Sequence, residues 1–319
     1  NFLRKIIYLT IPKTYLENYE NIKEAVDKSY WPTKSKVILT CRSYNFNEIF
    51  KIFTAKMVGD GSKYLILQHG GGMGLEEYGM DTSLELPHKF LSWGWKNKTK
   101  KVLPFNSFAT SIKKKKVAHD SSKNIFICFG FHGKYNDGIA SHPRTNLDRL
   151  RKINSIKSLV NNLHKDLSNN VVLRYLKFVE NEVQYKFQEN IFNKKINYDH
   201  GVTPFEKIIN KGKLFVHTNN STTFLETMNY NLPTLLLLDK NCERFNKSSQ
   251  KLIKLLEKKK IIHYDANLAA KFINKNFDNI EEWWNNKDLQ FVRRKFCSNF
   301  IKQVDNPTNE LKSILKKFS

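Results

Sequence analysis

The sequence predicts an α/β protein of two Rossmann-like, doubly wound domains facing a cleft, and three observations predict it. Eight short runs rich in Val, Ile, Leu and Phe recur along the 319 residues without polar alternation, as strands buried on both faces of a parallel sheet do. Helical patterns separate these runs, and repeated strand–helix units mark the doubly wound class. A polar, lysine-rich segment, 107–123 (SFATSIKKKKVAHDSSK), divides three of the runs from the other five and reads as a solvated linker.

In chain order the runs are 36–40 (KVILT), 64–68 (YLILQ), 89–93 (KFLSW), 124–129 (NIFICF), 171–176 (VVLRYL), 213–218 (KLFVHT), 233–238 (PTLLLL) and 261–264 (IIHY). Between the fourth and fifth, Leu147, Leu150, Ile153, Ile156, Val160, Leu163 and Leu167 form one helical stripe. Arg149, Arg151, Lys152 and Lys157 fall largely outside it. Leu289, Val292, Phe296, Phe300 and Val304 predict the last helix. In EEWWNN the adjacent Trp283 and Trp284 face different sides of a helix, which suits packing better than a sugar platform. The chain opens at Asn1 inside an apolar run (FLRKIIYLTIP), so upstream sequence is expected to be missing and the N-terminal domain to be incomplete. The expected boundaries are 1–112 for a partial N-terminal domain, 113–288 for a C-terminal domain and 289–319 for a helical segment.

A 40% hydrophobic content is ample for two cores, and 23 Phe with 13 Tyr exclude a disordered chain. The net charge of +24 comes mostly from Lys dispersed among Asn and Ile, dense only at Lys113–Lys116 and Lys258–Lys260. An RNA-binding aromatic signature, zinc-finger spacing and basic heptads are all absent, so specific nucleic-acid binding is not expected. Diffuse positive charge instead favours an anionic membrane surface or a phosphorylated ligand. Cys41, Cys128, Cys242 and Cys297 lie far apart without a CxxC pair, which predicts reduced thiols in a cytoplasmic setting. No apolar run approaches the ~20 residues that span a bilayer. No HExxH, DxD pair or carboxylate cluster suggests a metal, and no GxSxG suggests a nucleophile elbow.

The stretch LILQHGGGMG (65–74) puts four of the 13 glycines into five positions, directly after Gln68 and His69. Ligands of open α/β sheets bind at the carboxyl ends of strands. There, Gly70, Gly71, Gly72 and Gly74 let the backbone turn sharply and approach a ligand closely. Their spacing is neither GxGxxG nor a Walker A loop, which weakens NAD and ATP readings. His69 is placed to act as a general base or to bind a phosphate. The alternative is a turn whose glycines only satisfy backbone geometry beside a packed histidine.

In the stretch 216–239 a strand ends at His217 or Thr218, followed by Asn219, Asn220, Ser221, Thr222 and Thr223 and then an apolar-periodic helix. Unpaired N–H groups at a helix start, flanked by hydroxyls, suit a phosphate, although an exposed helix end alone contributes only ~0.3–1 kcal/mol. Thr223 and Glu226 also stand at capping-box spacing. Arg174, inside VVLRYL, either pairs with a carboxylate or faces an anionic ligand. The loop 129–146 (FGFHGKYNDGIASHPRTN) offers Gly130, Gly133, Asp137, His142 and Arg144 to the cleft, or is a plain connection.

QHGGGMG, FLSWGW about 20 residues later, FVHTNNSTTFLETMNYNLPTLLL and EEWWNNKDLQFVRRKFC together resemble a bacterial family of transferases of surface-polysaccharide (O-antigen) gene clusters. The likeness spans nearly the whole chain and fits the C-terminal portion of those longer proteins. More distantly, the two main motifs are similar to those of GT-B enzymes with CMP- or CDP-activated donors, namely Kdo and sialic acid transferases and the CDP-glycerol phosphotransferases of teichoic acid synthesis. The resemblance implies a GT-B-like fold with His69 and Gly70 on the acceptor side, in the N-terminal domain. It implies that Ser221, Thr222 and Thr223 hold the donor phosphate in the C-terminal domain, beside Asn219, Asn220 and Glu226. Gln68, Gly71, Gly72, His142 and Arg144 would then line the cleft. Many of those relatives carry a His-Pro pair where this chain has Tyr175 and Leu176, and its own His142-Pro143 lies in an earlier loop. Arg174 is therefore expected to take over the phosphate contact.

The reaction so implied is metal-independent transfer of a sugar from a nucleotide-activated donor, CMP- or otherwise pyrimidine-linked, to a surface-polysaccharide or lipid-linked acceptor. His69 would be the base and Arg174 would steady the departing phosphate. The nucleotide-sugar is a substrate, so no cofactor is expected. Transfer of a polyol phosphate from a CDP donor, and a non-catalytic scaffold of polysaccharide assembly, stay open as alternatives. The positive charge favours peripheral contact with the inner face of the cytoplasmic membrane.

Overall fold

The computed structural model describes residues 2–77, 81–109, 123–129, 146–175, 192, 196–241 and 244–318. Two parallel sheets organise them. The first comprises β1 (Val37–Thr40), β2 (Lys63–Leu67), β3 (Lys89–Ser92) and β4 (Val102–Pro104), in that spatial order. The second comprises β5 (Asn124–Phe129), β6 (Val171–Tyr175), β7 (Asn197–Asp199), β8 (Gly212–His217), β9 (Thr234–Leu237) and β10 (Ile262–His263). Its order is β10-β9-β8-β5-β6-β7, and every pairing is parallel. From β5 the chain winds outward through β6 to β7, then returns to β8 and winds the other way. The strand order therefore reverses between β5 and β8, the switch point at which doubly wound sheets open a crevice for ligands.

The eight apolar runs all become strands because their side chains are buried on both sides, as in β9, where all four residues are buried. Two further strands, β4 and β7, have only three residues each and carry Pro104 and Asn197, so no apolar run announces them. Helices covering the sheets include α1 (Glu48–Gly59), α2 (Asn146–Asn162), α3 (Thr222–Asn229), α4 (Gln250–Lys258), α5 (Ala266–Asn276), α6 (Lys287–Phe300) and α7 (Pro307–Lys316). The stripe expected over 147–167 is buried only from Ile153 onward. Leu147 and Leu150 are 54% and 48% exposed, whereas Lys152, expected outside the stripe, is buried. The helix expected to run to Val304 stops at Phe300, and α7 follows it.

The two sheets share one continuous apolar core. Phe53, Met57, Phe90, Trp93 and Trp95 from the N-terminal side pack with Phe224, Leu225, Met228, Trp284 and Phe296 from the C-terminal side. After α6 the chain crosses back to the first sheet. Lys302 N–H donates to the Trp93 carbonyl at 2.7 Å, and Ser107 N–H donates to the Lys302 carbonyl at 2.8 Å. Leu311, Ile314, Leu315 and Phe318 of the C-terminal segment then cover Leu65, Leu91 and Phe105. Ser107, expected to begin a solvated linker, is thus fully buried; residues 110–122 lie outside the described residues. The paired tryptophans are packed. Trp284 is buried and its indole N–H donates to the Asn231 carbonyl at 2.9 Å, while Trp283 donates to the Lys259 carbonyl at 3.1 Å.

Candidate functional site

The glycine-rich turn follows β2, and the start of α3 follows β8, so each leaves the carboxyl end of its own sheet. They meet in direct backbone contact. Gly71 N–H donates to Thr222 Oγ1 at 2.9 Å. A Cβ added at Gly71 would stand 2.7 Å from both the Ser221 carbonyl carbon and the Thr222 nitrogen. Gly72 and Gly74 have φ of +86° and +81°, conformations that side chains disfavour, and a Cβ at Gly74 would enter the Trp95 ring at 2.4 Å. Glycine is thus required at 71, where one domain's backbone lies against the other's, and at 74, where the turn packs on Trp95.

Gln68 braces this turn and its side chain is spent inside the protein. Its Oε1 accepts from Trp93 N–H and Trp95 Nε1–H, both at 2.8 Å, and its Nε2 donates to the Gly70 carbonyl at 2.8 Å. It is 4% exposed, so Gln68 shapes the cleft wall without presenting its amide to a ligand. Next to it, His69 is exposed at the strand tip. Packing of the surrounding turn, with the Arg42 charge as a smaller cause, lowers its pKa below the ordinary imidazole value. At neutral pH the ring is accordingly neutral and able to accept a proton.

On the C-terminal side, a small pocket opens at the switch point. It is lined by Cys128 and Phe129 from β5, Arg174 and Tyr175 from β6, and Asn219, Ser221 and Thr223 from the segment after β8. Arg174 meets a carboxylate and also lines this pocket. Its Nη1 pairs with Asp199 Oδ2 on the neighbouring strand β7, its Nη2 donates to the Thr203 carbonyl at 2.7 Å, and it also lines the pocket. Asp199 is itself held, because its Oδ1 accepts from Gly201 N–H at 2.9 Å. Ser221 is the N-cap residue of α3, yet no side chain caps this helix; its Oγ lies 3.3 Å from Thr223 Oγ1 instead. The basic group, two hydroxyls and an uncapped helix start converge on one crevice, the arrangement that suits an anion.

Glu226 does not form the capping box that its spacing from Thr223 suggests. The helix begins at Thr222, two positions before the start that the spacing implied, so Glu226 falls in the second turn and is 9% exposed. Burial pushes its carboxyl up to about 8, with Glu206 raising it and Arg174 opposing. Asn220 is 2% exposed and its Nδ2 finds no partner among the described residues, 3.8 Å from Gly72's added Cβ on the Oδ1 side. The structure thus gathers Arg174, Asn219, Ser221 and Thr223 in one pocket. Thr222 faces Gly71 instead, and His69 stands two residues from that contact. His142 and Arg144, with Gly130, Gly133 and Asp137, lie outside the described residues. Asp199 and Tyr175 were not anticipated as site residues. Tyr175 could have been found as the last residue of a strand facing the crevice, whereas no sequence signal marks Asp199.

A model of the LIC12162 family of transferases matches residues 1–315. No curated protein matches the chain by sequence. Among solved structures the chain is similar to TarM, with TM-score 0.51 and 11% identity, over 89% of its own length and 54% of TarM's. It is similar to MnaA of S. aureus in a co-structure with UDP, with TM-score 0.51 and 9% identity, over 94% of this chain and 79% of that one. The chain spans little more than half of TarM. At these identities the likeness is one of fold, and the fold is GT-B-like: an α/β protein with two parallel sheets, of four and six strands. No described helix is long and apolar enough to cross a membrane.

Proposed function

The chain belongs to the LIC12162 family of transferases, and from that premise we propose that it moves a sugar from a nucleotide-activated donor to a surface-polysaccharide or lipid-linked acceptor. The observation that carries this reading is the pocket at the switch point, where Arg174, Ser221, Thr223 and the uncapped start of α3 meet. A nucleotide's phosphates would sit there, with the guanidinium and the helix N–H groups taking up charge as it develops on the leaving oxygen. The UDP bound in MnaA, a protein of the same fold, supports a pyrimidine nucleotide.

The reacting groups are supplied from opposite walls. The acceptor hydroxyl forms a bond to the anomeric carbon while the bond from that carbon to the phosphate oxygen breaks. The hydroxyl proton passes to the neutral His69 imidazole, and the electron pair stays on the phosphate beside Arg174. Gly71 N–H donates to the Thr222 hydroxyl, which ties the turn that carries His69 to the start of α3 and so orients the proposed base toward the phosphate site.

A thermal-shift panel of CMP, CDP, UDP and GDP tests the donor half. A nucleotide at about 100 times its dissociation constant should add roughly 2.7 kcal/mol of stability, and Ser221→Ala with Thr223→Val should erase most of that gain. Stabilisation by none of the four, or an undiminished gain in the double variant, would sink the phosphate site. In the same reading His69→Ala keeps the nucleotide response and loses about 10²- to 10⁴-fold in transfer rate.

A further inference from the structure

Just beyond the end of β1, Arg42 stands beside the histidine to which the transfer reading assigns the base. Strands β1 and β2 run parallel with Thr40 paired to Ile66, so Arg42 and His69 leave the sheet at the same end. Neighbouring strands lie about 4.8 Å apart. The Arg42 charge acts on the His69 ring and lowers its affinity for a proton, in addition to the larger effect of packing.

The segment holds two exposed groups between fixed points. Thr40 Oγ1 accepts from Ser43 N–H at 3.2 Å, at the start of a short helix, Ser43–Phe46. Tyr44 is buried in the shared core, and the Asn47 side chain, which caps α1, accepts from Phe50 N–H at 2.9 Å. Between these anchors Phe46 is left 70% exposed, and the Arg42 guanidinium lies over its ring, 5.1 Å from the centroid. Other guanidinium groups are spent inside the protein. Arg174 pairs with Asp199, and Arg293 donates to Gln290 Oε1 and to the Met228 carbonyl. Among the described residues Arg42 has no carboxylate within ion-pair reach and no hydrogen-bond acceptor. Its N–H fork is open to a ligand, and a ring that already holds the guanidinium reduces the freedom lost on binding.

We propose that Arg42 binds the acceptor, gripping an oxyanion, phosphate or carboxylate, that the acceptor carries close to its reacting hydroxyl. The inference rests on the transfer reading above and adds the acceptor's class: an anionic molecule rather than a neutral glycan end. Arginine suits this ligand because its planar fork matches either oxyanion in two parallel hydrogen bonds. An oxyanion on Arg42 also offsets the charge that opposes proton transfer to His69, so a charged acceptor meets a stronger base than a neutral one does.

The test uses D-glucose 6-phosphate, D-glucuronate and methyl β-D-glucoside, titrated into the whole chain and followed by the ring carbon–proton NMR signal of His69. That signal is assigned by its loss in His69→Gln. The anionic probes should shift it saturably and the methyl glucoside should not. Arg42→Gln should weaken the anions at least tenfold, the loss expected for a charge-assisted contact, while melting as the wild type does. Arg42→Lys, which keeps the charge and loses the fork, should fall between the two. Ser221→Ala with Thr223→Val should leave the anion affinities unchanged, which separates this site from the phosphate pocket. A response to the phosphate probe alone assigns phosphorylated acceptors, and a response to glucuronate alone assigns acidic glycan ends. Silence from both anions, an equal response to the methyl glucoside, or wild-type anion affinity in Arg42→Gln overturns the proposal. The nucleotide panel is read separately: if no nucleotide stabilises the chain, the transfer reading falls, and these titrations still decide whether Arg42 binds an oxyanion beside His69.

Discussion

Replacing Gly71 by alanine isolates the contact on which the site's geometry depends. The new methyl group would sit 2.7 Å from the Ser221 carbonyl carbon and the Thr222 nitrogen, both backbone atoms that no rotamer change can move aside. The two domains must therefore separate locally. Overpacking of this kind costs about 1–3 kcal/mol, and loss of the 2.9 Å bond from Gly71 N–H to Thr222 Oγ1 adds about 0.5–1.5 kcal/mol. Reduced freedom of the unfolded chain returns about 0.4–1 kcal/mol. The net is about 2 kcal/mol, a fall in melting temperature on the order of 5 °C, measured by calorimetry. Gly70→Ala is the control. Its Cβ would meet only Thr222 Oγ1, at an ordinary 3.6 Å, so Gly70→Ala should melt within a degree or two of the wild type. The nucleotide response should weaken in Gly71→Ala and survive in Gly70→Ala. Equal effects of the two substitutions, or a wild-type Gly71→Ala, would refute the claim that this glycine exists for interdomain contact.

Gln68→Leu removes the acceptor for two buried N–H groups, those of the Trp93 backbone and the Trp95 indole, and should cost about 2–5 kcal/mol in urea unfolding; an unchanged midpoint would show that the amide braces nothing. Asp199→Ala leaves the Arg174 guanidinium buried without its carboxylate, a loss of about 3–5 kcal/mol, and saturating UDP or CMP should restore a larger share of stability to this variant than to the wild type because phosphate replaces the missing charge. Glu226 takes up protons on folding, since its folded pKa of about 8 lies above the ordinary 4.5; its contribution is fully present below pH 4.5 and is lost as pH rises through 8. Glu226→Gln should therefore flatten the decline of melting temperature between those pH values, and an unaltered profile would show that the carboxyl titrates normally.

Which features could be read from residues alone depended on whether their cause was local. Runs such as PTLLLL announce strands because burial on both faces demands apolar side chains at every position. The edge strands β4 and β7 escape notice because three residues, one a proline in β4, are held by pairing to a neighbour rather than by their own pattern. The same reason explains Arg174. Its position inside an apolar strand showed that it needed a partner, but the partner is Asp199 on the inconspicuous β7, placed opposite it by strand register. The glycines of the turn showed that something approaches closely, and only the fold shows that it is the start of α3. The bracing role of Gln68 was not legible for a related reason: its partners, Trp93 and Trp95, are 25 and 27 residues away, across β3. Capping-box spacing misled over Glu226 because the helix starts at Thr222, which moves the carboxylate from the helix mouth into its buried flank. These readings share one logic. Each residue type signalled a need, for close approach, for a countercharge or for a hydrogen bond, and topology chose what met it.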